Sequence, residues 1–332
     1  MAGFVQNFLS AYGQALLGTP FLLLILLVGI SYCYLYGDPV QAGSFALRQA
    51  LRALPAGLAG SLLLVLAGIR AEAVTTAWLV PVTVLLALWR PRFICLAYSG
   101  SVICFCRLAF GAPAVDVPQL MALTALLHVM EGLLVLTDGG RGMRPRLIPA
   151  PAGNLPGGPA FGRRPAAPAF RRPGSGADSL PPLYRKRYDL QRFWPLPLVL
   201  VTAVRLPAAG LPQAWAAVSE MPGWWPLLGR EFLDTAAGLQ GLGGGLLLSL
   251  APMATALGFC QSFPAGREKA GLRRCGLGLL LYSAVLFGLC WLADRFAAAA
   301  LLQWWPPVFA ILGHEGICRL QTPAVAGTGK KG

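Results

Sequence analysis

Charge is what this sequence has least of. Asp and Glu together number 13 and His only 2 in 332 residues, and charged residues make up 12%. A chain of this length could form two or three water-exposed domains, but so few charges cannot coat them. The sequence also lacks catalytic signatures. No GxSxG, SxxK or GxGxxG stands in a suitable context, and no Walker motif is present, so ATP hydrolysis is not expected. The metalloprotease pattern HExxH is missing from both histidine sites. The eight cysteines form no CxxC pair, and Cys104 and Cys106 point to opposite faces of a helix. They read as small apolar packing residues. No Lys or Arg precedes Arg48, so a cleavable signal peptide is not expected. Alternating strands of about ten residues, the mark of a membrane β-barrel, are also lacking.

What is present is apolar sequence. Hydrophobic residues make up 56%, and the mean hydropathy is +0.62. Apolar runs near twenty residues recur, each long enough to cross a hydrocarbon core as a helix. The expectation is an all-α, polytopic membrane protein with about eight or nine transmembrane helices. Nine candidates fall at about 18–36, 53–69, 73–89, 93–110, 118–137, 194–210, 234–259, 275–293 and 296–313. The second, third and sixth are short. Residues 1–16 read as an amphipathic helix lying on the membrane.

Charge orients these spans. Arg48, Arg52, Arg90, Arg92, the basic residues of 141–187, Arg192, Arg267, Lys269, Arg273, Arg274, Arg319, Lys330 and Lys331 fall in alternate loops and the C-terminal tail. The opposite loops hold only Arg70, Arg230 and Arg295. By the positive-inside rule the N-terminus is outside and the C-terminus cytoplasmic. The net charge of +14 then reports topology and an attraction to anionic lipid, with no need for nucleic acid as a partner.

Residues 138–192 are rich in Pro, Gly and Arg and lack any period, so they read as a disordered basic cytoplasmic linker. It separates a five-span half, 18–137, from a four-span half, 193–316. A tail, 317–332, follows.

The candidate site lies in two apolar stretches. "TALLHVMEGLLVLTDGG" (124–140) carries His128 and Glu131, and "FAILGHEGIC" (309–318) carries His314 and Glu315. An ionisable group inside a span is a functional hypothesis by default. His128 and Glu131 share a helix face. If the fifth and ninth spans are neighbours, two imidazoles and two carboxylates converge in the inner half of the bilayer. Two His and a carboxylate can bind Zn or Fe. The favoured reading is polar packing between helices, with no catalytic residue, no metal and no cofactor. A metal set of His128, Glu131, His314 and Glu315 and a proton-linked role are the alternatives.

"YDLQRFWPLPLVLV" (188–201), "LLHVMEGLLVLTDGG" and "PPVFAILGHEGI" together resemble the membrane region of the MinJ-type PDZ proteins of Firmicutes. That family is similar in a His-and-Glu motif closing one span, an LQ-x-FWP-x-P entry to the next, and a GHE motif ending the last. The matching positions here are Leu190, Gln191, Phe193, Trp194, Pro195 and Pro197, beside the His and Glu residues already named. The resemblance implies a non-enzymatic scaffold of the cell-division or polarity machinery, with division and polarity proteins as partners. It covers the membrane region alone. After the GHE motif stands "ICRLQTPAVAGTGKKG" where the family has its PDZ domain, so peptide capture at a sheet edge is not carried over. A metal-dependent intramembrane hydrolase and a proton-coupled transporter, both using the His/Glu set, remain as alternatives.

Overall fold

A computed structural model describes residues 2–74, 77–140, 144–149, 184–206, 225–229 and 245–321. The chain opens with α1 (Ala2–Leu17) and α2 (Thr19–Tyr36), two helices bent by 44° at Gly18. Then come α3 (Pro39–Ala67), α4 (Ala71–Val74), α5 (Leu79–Trp89), α6 (Leu96–Phe110) and α7 (Val117–Asp138). Strands β1 (Arg144–Pro149), β2 (Tyr184–Leu206) and β3 (Gly245–Pro264) form an antiparallel sheet in the order β1-β2-β3. Helices α8 (Glu268–Arg295) and α9 (Trp305–Gln321) end the described chain.

This corrects the all-α expectation of eight or nine spans. Among the described residues, three helices, α3, α7 and α8, are long and apolar enough to cross a membrane, and α1–α2 makes a fourth if the bent pair counts as one span. The candidates at 73–89 and 93–110 yield the shorter apolar helices α5 and α6. The candidate at 53–69 is the second half of α3. That helix starts earlier because Asp38 caps it, accepting from Val40 N at 2.9 Å, with Pro39 in its first turn. It stops where Gly68 takes a left-handed φ of 77°. There Ile69 N bonds Leu64 O and Gly68 N bonds Val65 O, closing the backbone in a Schellman turn.

The described parts of the candidates at 194–210 and 234–259, residues 194–206 and 245–259, are strand instead of helix. In β2 the even residues Trp194, Leu196, Leu198 and Leu200 pack into the main core. The odd residues Val199 and Val201 pack on Phe8, Ala11, Tyr12 and Val65. Both faces are therefore buried, and a strand buried on both faces reads as an unbroken apolar run. One edge of β2 pairs with β3 from Arg187 to Leu206. On the other edge β1 pairs with residues 184–189. Beyond that the helices satisfy the odd N–H groups: Phe193 N donates to Tyr32 Oη at 2.8 Å, Val199 N to Ser61 Oγ at 3.0 Å and Val201 N to Ile69 O at 3.2 Å. Pro195 and Pro197, which have no N–H, fall on this same edge, where no strand demands one. The close fit of α3 here depends on Gly57, because a Cβ would lie 2.6 Å from Pro197 O.

Strands β1 and β2 also reach into the stretch read as a disordered linker, at 144–149 and 184–192. Residues 150–183 lie outside the described residues, as does the tail from 322.

The long elements share two polar ends. At one, Arg52 of α3 pairs with Asp138 at the end of α7 at 2.5 Å. At the other, Arg70 lies 3.5 Å from Asp116, and Asp294 near the end of α8 accepts from Gly229 N. Between these ends α7 is the most enclosed of the three long helices. Helix α8 lies antiparallel to α7. Gly132 and Gly276 face each other, each so placed that a Cβ would sit 3.0 Å from the other's carbonyl oxygen. Small residues of this kind let membrane helices approach closely. The outer face of α3 exposes Leu47, Leu51, Leu58, Leu62 and Leu66, and that of α8 exposes Leu277, Leu281, Val285 and Leu292. Apolar stripes this long are satisfied by lipid rather than water. The chain is membrane-associated through these helices.

Candidate metal centre inside the helical bundle

Three elements bring the site together: the N-terminus of α6, the middle of α7 and the middle of α9. Cys95 is the N-cap of α6, with its Sγ accepting from Ala97 N at 3.4 Å, and this fixes the sulfur at the mouth of the helix. His128 sits ten residues before Asp138, about 15 Å along the axis at 1.5 Å per residue, so it lies well inside the bundle. Its side chain is 3% exposed. On α9, the GHE motif was expected to end the span at the cytoplasmic boundary. The helix instead continues through Gly313 to Gln321, and His314 lies level with His128, their ring centroids 5.5 Å apart.

The sulfur of Cys95 is 3.2 Å from His128 Nε2. A ligand atom from each of Cys95, His128 and His314 lies within 4.8 Å of the others. Glu131, one turn along α7, places Oε2 3.8 Å from His128 Nε2 with 12% of its side chain exposed. Glu315 does not join this centre. Its Oε1 accepts a 2.7 Å bond from Tyr98 Oη. The four residues singled out in the sequence thus divide: His128 and His314 meet at Cys95, Glu131 lies beside His128, and Glu315 stands behind His314.

The network assigns both histidine tautomers. His128 Nδ1 is 2.7 Å from Thr124 O, a pure acceptor, so Nδ1 carries the proton and Nε2 presents a lone pair toward Cys95 and Glu131. Tyr98 gives its proton to Glu315, so its oxygen accepts from His314 Nδ1 at 3.1 Å. That leaves His314 Nε2 with a lone pair as well. Tyr282 completes the wall, its ring edge-on to His128 at 5.2 Å and its hydroxyl donating to Ala310 O at 3.0 Å.

Sequence reading missed Cys95, Tyr98 and Thr124. Cys95 lies 33 positions before His128, and no local spacing connects the two. The one available signal was its place directly after "RPRFI", a Pro-containing turn ahead of an apolar helix.

The motif residues of 190–197 lie elsewhere, at the polar end marked by Asp138. Leu190 and Trp194 are fully buried. Trp194 Nε1 donates to Asp138 Oδ2 at 3.3 Å, which ties the FWP motif to the end of the TDGG stretch. Phe193 packs edge-on to Tyr32, Gln191 is exposed, and Pro195 and Pro197 lie against α3. Behind them Arg192 stacks over the Phe45 ring at 4.8 Å.

No family model, no curated protein and no solved structure matches this chain.

Proposed function

We propose that this chain is an integral, multi-pass membrane scaffold resembling the membrane region of MinJ-type proteins, acting in cell division or polarity. One observation carries this reading. The three stretches that bear the resemblance are far apart in sequence yet belong to one packed unit, because Trp194 bonds Asp138 and His128 meets His314. Motifs joined in this way define the shape of a module.

The orientation proposed with it puts the Arg52–Asp138 end in the cytoplasm, together with Arg267, Lys269, Arg273 and Arg274 at the start of α8. Helix α9 runs parallel to α7, with Pro307 level with Ser101 and His314 level with His128. The C-terminal tail is therefore cytoplasmic. Helix α2 runs toward the same end, since Tyr32 packs on Phe45 and Phe193, and the N-terminus is outside. The basic end suits contact with anionic lipid.

A fluorescent fusion expressed in the native cells tests the scaffold reading. It concentrates at division septa or poles if the reading is right. An even distribution around the membrane, in cells whose other division proteins localise normally, contradicts it.

A further inference from the structure

We infer that Cys95, His128 and His314 form a zinc site that Glu131, beside His128, completes. This inference does not rest on the scaffold reading, and it replaces the metal-free expectation drawn from the sequence. It also differs from the sequence-level metal set, because Cys95 takes the place of Glu315.

Four observations converge on zinc. The first is ligand type: one thiolate, two imidazoles and a carboxylate make a borderline-soft set that suits Zn²⁺. The second is spacing. Zn–S of about 2.3 Å and Zn–N of about 2.0–2.1 Å at a tetrahedral angle put neighbouring ligand atoms about 3.5 Å apart. Here Cys95 Sγ and Glu131 Oε2 lie 3.2 Å and 3.8 Å from His128 Nε2, and the ligand atoms of Cys95, His128 and His314 lie within 4.8 Å of one another, close enough for an ion to draw them in.

The third is the outer layer. Metal-binding histidines donate their second ring N–H to a carbonyl or, through a relay, to a carboxylate, which fixes the tautomer and strengthens the ligand. His128 does so to Thr124 O. His314 does so to Tyr98, which in turn donates to Glu315. Both Nε2 atoms are thereby left as lone-pair donors. Polar packing alone does not require both rings to be anchored from behind.

The fourth is charge. Among the described residues, the basic side chain within 4 Å of Glu131 is His128, which is neutral in the tautomer assigned above, and no Lys or Arg forms an ion pair with Glu131. A carboxylate held this deep calls for a cation. Zn²⁺ with one thiolate and one carboxylate is neutral, the least costly state for a site inside a bilayer. Binding releases the Cys95 proton to solvent, with no redox change.

Three ligand atoms already converge, and with Glu131 turned onto the ion the site has four protein ligands and is of the closed, structural kind. It clamps the N-terminus of α6 to α7 and α9, and it holds together two of the stretches that carry the family resemblance.

The test uses the full chain, purified in detergent without chelator. Elemental analysis is expected to find about one zinc per chain. Replacing zinc by Co²⁺ is expected to give a thiolate-to-cobalt charge-transfer band in the near ultraviolet and tetrahedral visible bands. Cys95→Ser removes the charge-transfer band and weakens zinc more than about 100-fold, whereas Cys106→Ser, elsewhere on α6, leaves both as in the native chain. Tyr98→Phe keeps the ring but breaks the relay to Glu315, and lowers zinc affinity about 10- to 100-fold. Native protein that carries no zinc and binds no Co²⁺ overturns the proposal. So does a charge-transfer band that survives Cys95→Ser, or zinc content unchanged in His314→Gln. If a variant fails to fold, the cobalt spectrum of the native chain still decides, because it must contain a sulfur ligand.

Discussion

Asp138 carries two jobs with one carboxylate. Oδ1 accepts from Arg52 at 2.5 Å and Oδ2 from Trp194 Nε1 at 3.3 Å. The acid is 4% exposed, while Arg52 keeps 34% of its side chain in solvent. Arg52 can therefore turn outward if the acid is lost, but the buried indole N–H cannot. Asp138→Ala is expected to cost about 2 kcal/mol, mainly for that orphaned donor. Asp138→Asn keeps an acceptor and is expected to cost less than half as much. Denaturant titration in micelles, followed by Trp fluorescence, checks the ranking. Equal losses in the two variants would assign the stability to the ion pair instead. At this scale the sequence was partly legible. An ionisable residue in an apolar run announces itself, and that made His128, Glu131 and His314 stand out. Cys95 did not, because a cysteine looks the same in a core and at a metal. Only its neighbours in space tell the two apart.

Among the elements, the helices with clear caps were the easiest to read. Asp116 opens α7 by accepting from Gln119 N, and the apolar run that follows is long enough to be a span. Helix α3 was half hidden. Its first turns carry Gln41, Arg48, Gln49 and Arg52, so only its apolar second half looked like a span. The β2–β3 hairpin was hidden altogether. An apolar run buried on all sides has no period that separates helix from strand. Pro195 and Pro197 and the β-branched Val199 and Val201 were the signals available for strand, and run length outweighed them. Where α7 and α8 cross, the contact is set by backbone approach at Gly132 and Gly276. Gly276→Leu is expected to force the helices apart and cost several kcal/mol of stability, in line with overpacking. Gly278→Ala, where a Cβ meets nothing within 4 Å, is expected to be neutral. Unfolding midpoints of the two variants check this, and a destabilised Gly278→Ala alongside a native-like Gly276→Leu would refute the crossing.

For the whole molecule, the two polar ends and the apolar face between them make one proposal about orientation. Ala114, in the exposed turn before α7, lies at the Asp116 end, and Ala265, in the turn before α8, lies at the basic end. With Ala114→Cys and Ala265→Cys made separately, an impermeant maleimide applied to intact cells is expected to add label over the native chain at 114 and none at 265. The reverse pattern would invert the orientation. Hydropathy conveyed that this chain belongs with lipid. It overstated how many segments cross, because hydropathy does not distinguish lipid from the interior of a packed bundle.

The central claim is that α6, α7 and α9 close on one zinc ion within that bundle. Zinc-edge X-ray absorption of the purified full chain tests it most directly. The expected first shell is one sulfur at about 2.3 Å and three nitrogen or oxygen atoms at about 2.0–2.2 Å. A shell without sulfur, or protein with no zinc to measure, would contradict it.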